Sequence, residues 1–369
     1  MNLSPSSADE LSPVDAAFSA RLLAWYAQQG RHDLPWQQDP SPYRVWVSEI
    51  MLQQTQVQTV IPYFQRFMAA FPDLLSLGQA PLDAVLHHWT GLGYYARARH
   101  LHRAAQQLCA AGHRTLPPDL AALTALPGIG PSTAGAILAL AYRQVQPILD
   151  GNVKRVLCRY HALAGHPEQT AVKRQLWALA KAHTPSQQVA EYTQAIMDLG
   201  ATCCTRSRPD CERCPQQQAC RAYRSDSVAL YPSAKSRRSL PVRQTQMLML
   251  HTPDSGEVLL QQRPANGIWG GLWSFPECAL AQSPAAWCHT HLGLHIPAPQ
   301  PWATVRHTFT HFHLEITPVP ICLSPQARQA LQLPDSRWYN SQQPAVCGLA
   351  APVLRLLTQL AEQQPDLIA

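Results

Sequence analysis

Long apolar runs are missing from this chain. The longest clean one, Ala134 to Tyr142, is about half of the ~18 residues that a membrane-spanning helix needs. Charge is also scarce: 14% of the residues are charged and 46% are hydrophobic, so the high-charge, low-hydrophobicity composition of a disordered chain is excluded. There are no tandem repeats, which argues against a solenoid. The start, Met1-Asn2-Leu3-Ser4-Pro5-Ser6-Ser7, has neither a basic segment nor an apolar core and does not read as a secretory signal. A cytoplasmic location is therefore expected. In a reducing compartment the eleven cysteines point to metal binding more than to disulfides. The formal charge of +6 permits a polyanionic partner without requiring one.

What is present fits two domains, at ~100–200 residues each for 369 residues. Residues 1–19, rich in Ser, Pro and Ala, read as a flexible tail. From 20 to 224 the pattern is helical, with apolar residues three or four apart and Pro or Gly at the breaks. The stretches Val45 to Phe67, Leu82 to Trp89, Arg97 to Cys109, Ser132 to Tyr142, Val153 to Leu163 and Val189 to Leu199 carry it. Residues 225–243, with prolines, serines and basic residues, read as a linker. Residues 244–369 change to short runs such as Met247 to His251 and Val258 to Gln262, and end in a helix near Ala351 to Glu362. In Thr310 to Ile316, alternation puts Thr310, Phe312, Leu314 and Ile316 on one face. The expected fold is an all-helical domain followed by a smaller mixed α/β domain.

The sharpest local signal is Cys204-x6-Cys211-x2-Cys214-x5-Cys220. Four thiolates in one short segment can close around an iron–sulfur cluster or a structural zinc ion, and spacing alone leaves both open. Cys203 reads as a bystander, and Arg206 and Arg208 lie between the first two ligands, in a loop that is either phosphate-facing or simply solvated. A second signal is Leu126-Pro127-Gly128-Ile129-Gly130-Pro131-Ser132 between two helical stretches. Its glycines allow a tight turn with positive φ. Its N–H groups at a helix N-terminus suit a phosphate, although an ordinary helix connection uses similar residues.

The hairpin, an aspartate about twenty residues later and the cysteine spacing together resemble the helix-hairpin-helix DNA glycosylases of the endonuclease III superfamily. Trp46-Val47-Ser48-Glu49-Ile50-Met51-Leu52-Gln53-Gln54-Thr55-Gln56, Gly91-Leu92-Gly93-Tyr94-Tyr95-Ala96-Arg97 and Ile148-Leu149-Asp150-Gly151-Asn152-Val153-Lys154-Arg155 narrow the resemblance to its adenine-excising (MutY) branch. That resemblance implies a 4Fe–4S cluster on Cys204, Cys211, Cys214 and Cys220. It also implies a six-helix barrel at about 34–144 and a cluster module from about 20–33 plus 145–224, enclosing a cleft. The implied substrate is double-stranded DNA with adenine mispaired with 8-oxoguanine or guanine, and the implied state is a monomer.

By the same resemblance Glu49 is the acid that protonates N7 of adenine, with a pKa raised by enclosure. Asp150 stabilises the oxocarbenium ion and Asn152 orients it or the water. Asp150 would also cap the helix it starts, and the cap N–H groups are expected to keep it ionised. Trp36 and Leu52 line the adenine pocket, Gln194 bonds the base edge, Gln54 fills the vacated stack, and Tyr94 inserts beside the oxidised base. Gly128 and Gly130 offer backbone N–H groups to the DNA, and Lys154, Arg155, Arg97 and Arg99 are expected to meet phosphates. Ser132 stands where related lyases carry a Schiff-base lysine, so hydrolysis without efficient strand cleavage is expected. Pro131 departs from the family's basic residue after the second glycine.

Residues from about 240 resemble the MutT-like (Nudix) C-terminal domain of the same family, with Gly267-Ile268-Trp269-Gly270-Gly271-Leu272-Trp273-Ser274-Phe275-Pro276 as its marker. Gly271 and Glu277 keep the start of a Nudix signature, but Ala285 to Gly293 supplies no carboxylates for magnesium, so pyrophosphohydrolysis is not expected. The resemblance makes this domain a reader of oxidised guanine through Phe309, Thr310 and His311, with Thr310 adding a methyl to the family's serine. Rival readings are an endonuclease III-like bifunctional glycosylase/lyase for oxidised pyrimidines, and a DNA-binding protein without activity.

Overall fold

The computed structural model describes residues 17–234, 239–253, 256–331 and 333–363. Two compact units emerge. One contains the chain up to Gly78 together with Arg103–Ser236, and the other joins Gln79–His102 to Arg237–Ala369.

The first unit is helical. Its first helix, Ala17–Gln29, begins inside the stretch expected to be a tail, because Phe18 is fully buried; residues 1–16 lie outside the described residues. Phe18, Leu22, Trp25 and Tyr26 pack with Ile148, Leu149, Val156, Leu157, Leu176, Tyr192, Ile196 and Leu199 from the helices Gly151–His161, Thr170–His183 and Val189–Asp198 and their flanks. Tyr231 packs against the same cluster, and its carbonyl accepts from Arg159 Nε at 3.0 Å. The opening of the expected linker is thus part of the helical unit, tied down by one ring and one buried guanidinium, while residues 235–238 lie outside the described residues.

The stretch Val45 to Phe67 is not one helix but two, Pro42–Leu52 and Val57–Ala70. Ser41 caps the first, its Oγ accepting from Arg44 N at 3.4 Å, and Pro42 occupies the first turn. The break falls at Gln53–Gln56, where Gln54 takes a left-handed φ of 56° and Thr55 N bonds back to Leu52 O at 3.2 Å. An apolar periodicity that runs through a break cannot reveal it. The helix Val189–Asp198 widens into a π-turn, Leu199–Cys203, just before Cys204.

The second unit is built on a sheet of strands β1 (Val242–His251), β2 (Glu257–Gln262), β3 (Trp273–Ser274), β4 (Glu277–Cys278), β5 (Val305–Thr308), β6 (His313–Cys322) and β7 (Ser336–Asn340). Their order is β3-β2-β1-β6-β5, with β4 also pairing β1 and β7 pairing β2. β1 and β6 run parallel from Val242↔His313 to His251↔Cys322; the other pairs are antiparallel. Met247 to His251 are all buried, as expected of a central strand covered on both faces. Leu248, Leu250, Val319 and Ile321 pack on Trp287 and Cys288 of the helix Pro284–Leu292. Phe312, Leu314 and Ile316 share a buried face as expected, but Thr310 does not join them: the strand starts at His313 and Thr310 is exposed in the preceding turn.

Residues 79–102, read from sequence as part of the helical domain, pack in this second unit. Asp83, in the first turn of the helix Leu82–Trp89, accepts from Trp273 Nε1 at 3.2 Å and pairs with Arg337 Nη2 at 3.3 Å. Arg99 Nη1 donates to the Gly270 carbonyl at 2.8 Å. These are long-range polar partners, which local periodicity cannot encode.

Candidate active site

Asp150 sits at the N-cap of the helix Gly151–His161, where an aspartate accepts orphan N–H groups. Its Oδ1 accepts from Val153 N at 2.7 Å and its Oδ2 from Asn152 Nδ2 at 3.2 Å. Arg155, one turn on, donates through Nη2 to Asn152 Oδ1 at 2.8 Å and to the Gly200 carbonyl at 2.6 Å, and through Nε to the Cys204 carbonyl at 2.8 Å. Gly200 makes this approach possible, since a Cβ there would lie 2.5 Å from Asn152 Cβ.

Glu49 is carried by the helix Pro42–Leu52, and its carboxyl forms no hydrogen bond with the described residues. Burial of its carboxyl, and then the nearby charge of Asp150, push its pKa from the ordinary 4.5 up to about 8. Asp150 is also raised, by burial, against the opposing pull of the Val153 N–H, Arg155 and Asn152. The cap donors oppose the effect of burial without cancelling it. The pair is electrostatically coupled, and Asp150 alone of the two is surrounded by donors.

Trp36 and Gln194 line one cavity of about 420 Å³, together with Tyr26, His32, Val45 and Glu191. Neither Glu49 nor Asp150 lines it, but Val45 is one helical turn before Glu49 and on the same face. Trp36 is 5% exposed and meets Phe64 edge-on at 5.4 Å. Gln194 is buried and donates through Nε2 to Asp198 Oδ1 at 2.8 Å, and Asp198 is held in turn by Arg31 Nε at 3.0 Å and Arg31 N at 2.8 Å. Leu52 is half-buried at the end of its helix. Gln54 and Tyr94 share an uncommon feature: both are exposed and both have positive φ, 56° and 50°. Such strain in non-glycine residues gathers at functional sites.

In the hairpin only Gly128 needs positive φ, at 79°; Gly130 has an ordinary φ of -89° as the N-cap of Pro131–Tyr142, and both glycines are exposed. Ser132 Oγ accepts from Leu149 N at 2.9 Å, which ties the start of this helix to the strand of chain before Asp150. The basic residues expected to meet phosphates are engaged within the fold. Lys154 pairs with Glu168, Arg155 braces Asn152 and the cysteine loop, Arg97 is buried against the Leu92 and Gly93 carbonyls, and Arg99 bonds Gly270. Arg206 and Arg208 are exposed, as are Arg213, Arg221 and Arg224 nearby.

Cys204, Cys211, Cys214 and Cys220 line a single small cavity, and none is in a disulfide. Arg159 Nη1 lies 3.3 Å from Cys204 Sγ and donates to Thr205 O at 2.7 Å. Among the described residues no three His, Cys, Asp or Glu side chains converge so as to hold a single metal ion. Cys203 is buried and its Sγ lies 3.2 Å from the Asp210 carbonyl. Arg159 was not singled out from sequence. Its signal was an arginine four residues after Arg155 on one face of an amphipathic helix, which reads as solvated until the loop arrives.

In the second unit Phe309 is half-buried between Trp269, at 5.3 Å, and Phe312, stacked at 4.6 Å, while Thr310 and His311 are exposed at the turn between β5 and β6. The helix Pro284–Leu292 carries no acidic residue, and Glu277 is paired with Arg263.

Comparison with known proteins agrees with this architecture. Residues 47–182 match the HhH-GPD superfamily base excision DNA repair proteins, and residues 246–359 match the NUDIX domain. The adenine DNA glycosylase of Buchnera aphidicola (subsp. Acyrthosiphon pisum) is 35% identical over 340 residues, 92% of this chain and 96% of that protein. The Mus musculus adenine DNA glycosylase is 35% identical over 383 residues, 87% of this chain and 73% of that protein. A thermostable thymine-DNA glycosylase of known structure shares the helical fold, with a TM-score of 0.52 and 24% identity over 57% of this chain and 96% of its own. With its helix-hairpin-helix and Nudix parts both matched within relatives aligned along most of its length, the chain belongs to the adenine DNA glycosylase family of base excision repair enzymes.

Proposed function

We propose that this glycosylase removes adenine mispaired with 8-oxoguanine or guanine in double-stranded DNA, with Glu49 as the acid and Asp150 as the stabilising anion. The observation that carries the reading is the Glu49 carboxyl, raised to about 8 beside a capped aspartate. Adenine leaves poorly as an anion, so a proton must reach its N7 as the glycosidic bond breaks. Glu49, without hydrogen-bond donors among the described residues, holds that proton at neutral pH; Asp150, with the Val153 N–H and Asn152 amide upon it, is the partner that gives its proton up. The anion then opposes the oxocarbenium charge, and Asn152, pinned by Arg155, orients it or the attacking water. Ser132 has no amine to form a Schiff base, so the product is an abasic site without efficient strand cleavage.

The extruded adenine sits against Trp36, Leu52 and Gln194, Gln54 fills the gap in the stack, and Tyr94 lies beside the base opposite. Gly128 and Gly130 present backbone N–H groups to the DNA at a helix N-terminus. With Lys154 and Arg155 engaged internally, Arg206 and Arg208 take a larger share of the phosphate contact than expected from sequence. Phe309, Thr310 and His311 read the oxidised guanine, and the chain acts as a monomer.

Cys204, Cys211, Cys214 and Cys220 would hold a 4Fe–4S cluster, which when bound supplies a cross-linked brace for the loop bearing Arg206 and Arg208. Four thiols spaced around a cavity, beside the positive Arg159, suit a multi-atom cluster better than a single zinc ion.

The test is adenine release from an A:8-oxoguanine duplex, read as alkali-cleavable sites. Asp150→Asn and Glu49→Gln are each expected to lower the single-turnover rate by about 10²–10⁴-fold. An Asp150→Asn protein working at the full rate would falsify the assignment.

A further inference from the structure

Tyr94 is held in an unusual way. It is 45% exposed with φ of 50°, at the end of a turn whose Gly91 and Gly93 also have positive φ, 95° and 78°. An exposed side chain on so strained a turn keeps one pose only if the turn is fixed from behind.

Behind it is Tyr95, which is buried. Its hydroxyl accepts from Gly91 N at 3.2 Å and donates to the Leu349 carbonyl at 2.8 Å. Leu349 N donates in turn to Thr90 Oγ1 at 3.3 Å, so both backbone polar groups of Leu349 are satisfied by the Tyr94 turn. Gly348 lies so close to the helix Leu82–Trp89 that a Cβ would fall 2.5 Å from Leu86 Cβ. The Gly348–Leu349 segment is itself anchored on β3, by Trp273 N to Gly348 O at 2.9 Å and a parallel bridge between Trp273 and Leu349. Four residues before Trp273 is Trp269, the neighbour of Phe309.

We propose that Tyr95 is a positioning residue: through its hydroxyl the Gly348–Leu349 segment sets the pose of Tyr94, and this contact helps determine the preference for adenine opposite 8-oxoguanine over adenine opposite guanine. The proposal rests on the reading that Tyr94 lies beside the base opposite adenine. Trp89 Nε1 and Arg97 Nη2 also hold the Gly93 carbonyl, each at 3.1 Å, and Arg97 lies 5.3 Å from the Tyr94 ring, so Tyr95→Phe removes only the hydroxyl's link to Gly91 and Leu349, without opening a cavity.

The experiment uses full-length protein and single-turnover adenine excision from A:8-oxoguanine and A:G duplexes, with circular dichroism as a check on folding. Tyr95→Phe is expected to narrow the ratio of the two rates five- to tenfold, by slowing the 8-oxoguanine reaction. Gly348→Ala, which displaces the same segment from the other side, is expected to narrow it similarly. In a Tyr94→Ala background Tyr95→Phe is expected to add nothing further. Equal slowing on both duplexes, no change, or full additivity with Tyr94→Ala would each overturn the proposal. A Tyr94→Ala ratio equal to the parent's removes the reading of Tyr94 as well, whereas a narrowed Tyr94→Ala ratio with an unaltered Tyr95→Phe ratio defeats this inference alone.

Discussion

At the scale of residues, the proposed pairing of Glu49 with Asp150 would set both the pH range of the reaction and a stability cost. On the proposed reading Glu49 acts while protonated, so the rate should fall as pH rises through about 8. Protonation of Asp150 should remove its anion on the acid side, and the two limbs report apparent values of the pair. In the unfolded chain Glu49 releases its proton near its ordinary value of 4.5, and in the folded one near 8. Between these values the unfolded state binds fewer protons, so folding loses stability as pH rises. Glu49→Gln removes that penalty. It should leave stability unaltered below about pH 4 and stabilise by ~3–5 kcal/mol near pH 8, because each tenfold difference in proton affinity between the folded and unfolded chain is worth ~1.4 kcal/mol. Thermal melts of parent and variant across pH measure this, and a melting difference independent of pH would contradict the burial of the carboxyl.

Among the elements, the π-turn Leu199–Cys203 does most to join the chemistry to the cysteine loop. It lets Gly200 reach Asn152 and presents the Gly200 and Cys204 carbonyls to Arg155. Gly200→Ala places a Cβ within 2.5 Å of Asn152 Cβ, and the helix start must shift. A destabilisation of about 1–3 kcal/mol is expected, the usual cost of overpacking, with adenine excision slowed more than duplex binding. Equal loss of binding and rate would show that Asn152 does not act at the chemical step. The helices themselves were legible: Leu82–Trp89 follows directly from its apolar spacing, and Asp150 as a cap was readable from Asp-Gly-Asn-Val. The break after Leu52 was not, since its cause is a left-handed Gln54, a conformation that glutamine does not advertise.

For the whole molecule, the assignment of residues 79–102 to the second unit decides what a truncation does. Cutting after Ser236 would strip Leu86, Thr90 and Tyr95 of their partners in the Gly348–Leu349 segment. The shortened protein is expected to melt lower and to aggregate more than the full chain, with light scattering and thermal melts as the readouts. An equal melting point would mean that residues 79–102 are stabilised without the second unit. No helix among the described residues is long and apolar enough to cross a membrane.

The sequence by itself determined a helical part followed by a sheet-bearing one, the periodicities within each, the four-cysteine segment and the acidic residue types on which the proposed chemistry rests. Each is a local pattern of polarity, spacing or side-chain chemistry that the chain carries before it folds. Only the tertiary structure decided which charges are free. Lys154, Arg155, Arg97 and Arg99 look like phosphate ligands in one dimension, yet each finds an internal acceptor, and Arg159 becomes a clamp on the cysteine loop. It also decided that the Glu49 carboxyl holds its proton more tightly than usual, because a carboxyl's proton affinity depends on how much water and charge surround it, and those neighbours come from distant parts of the chain.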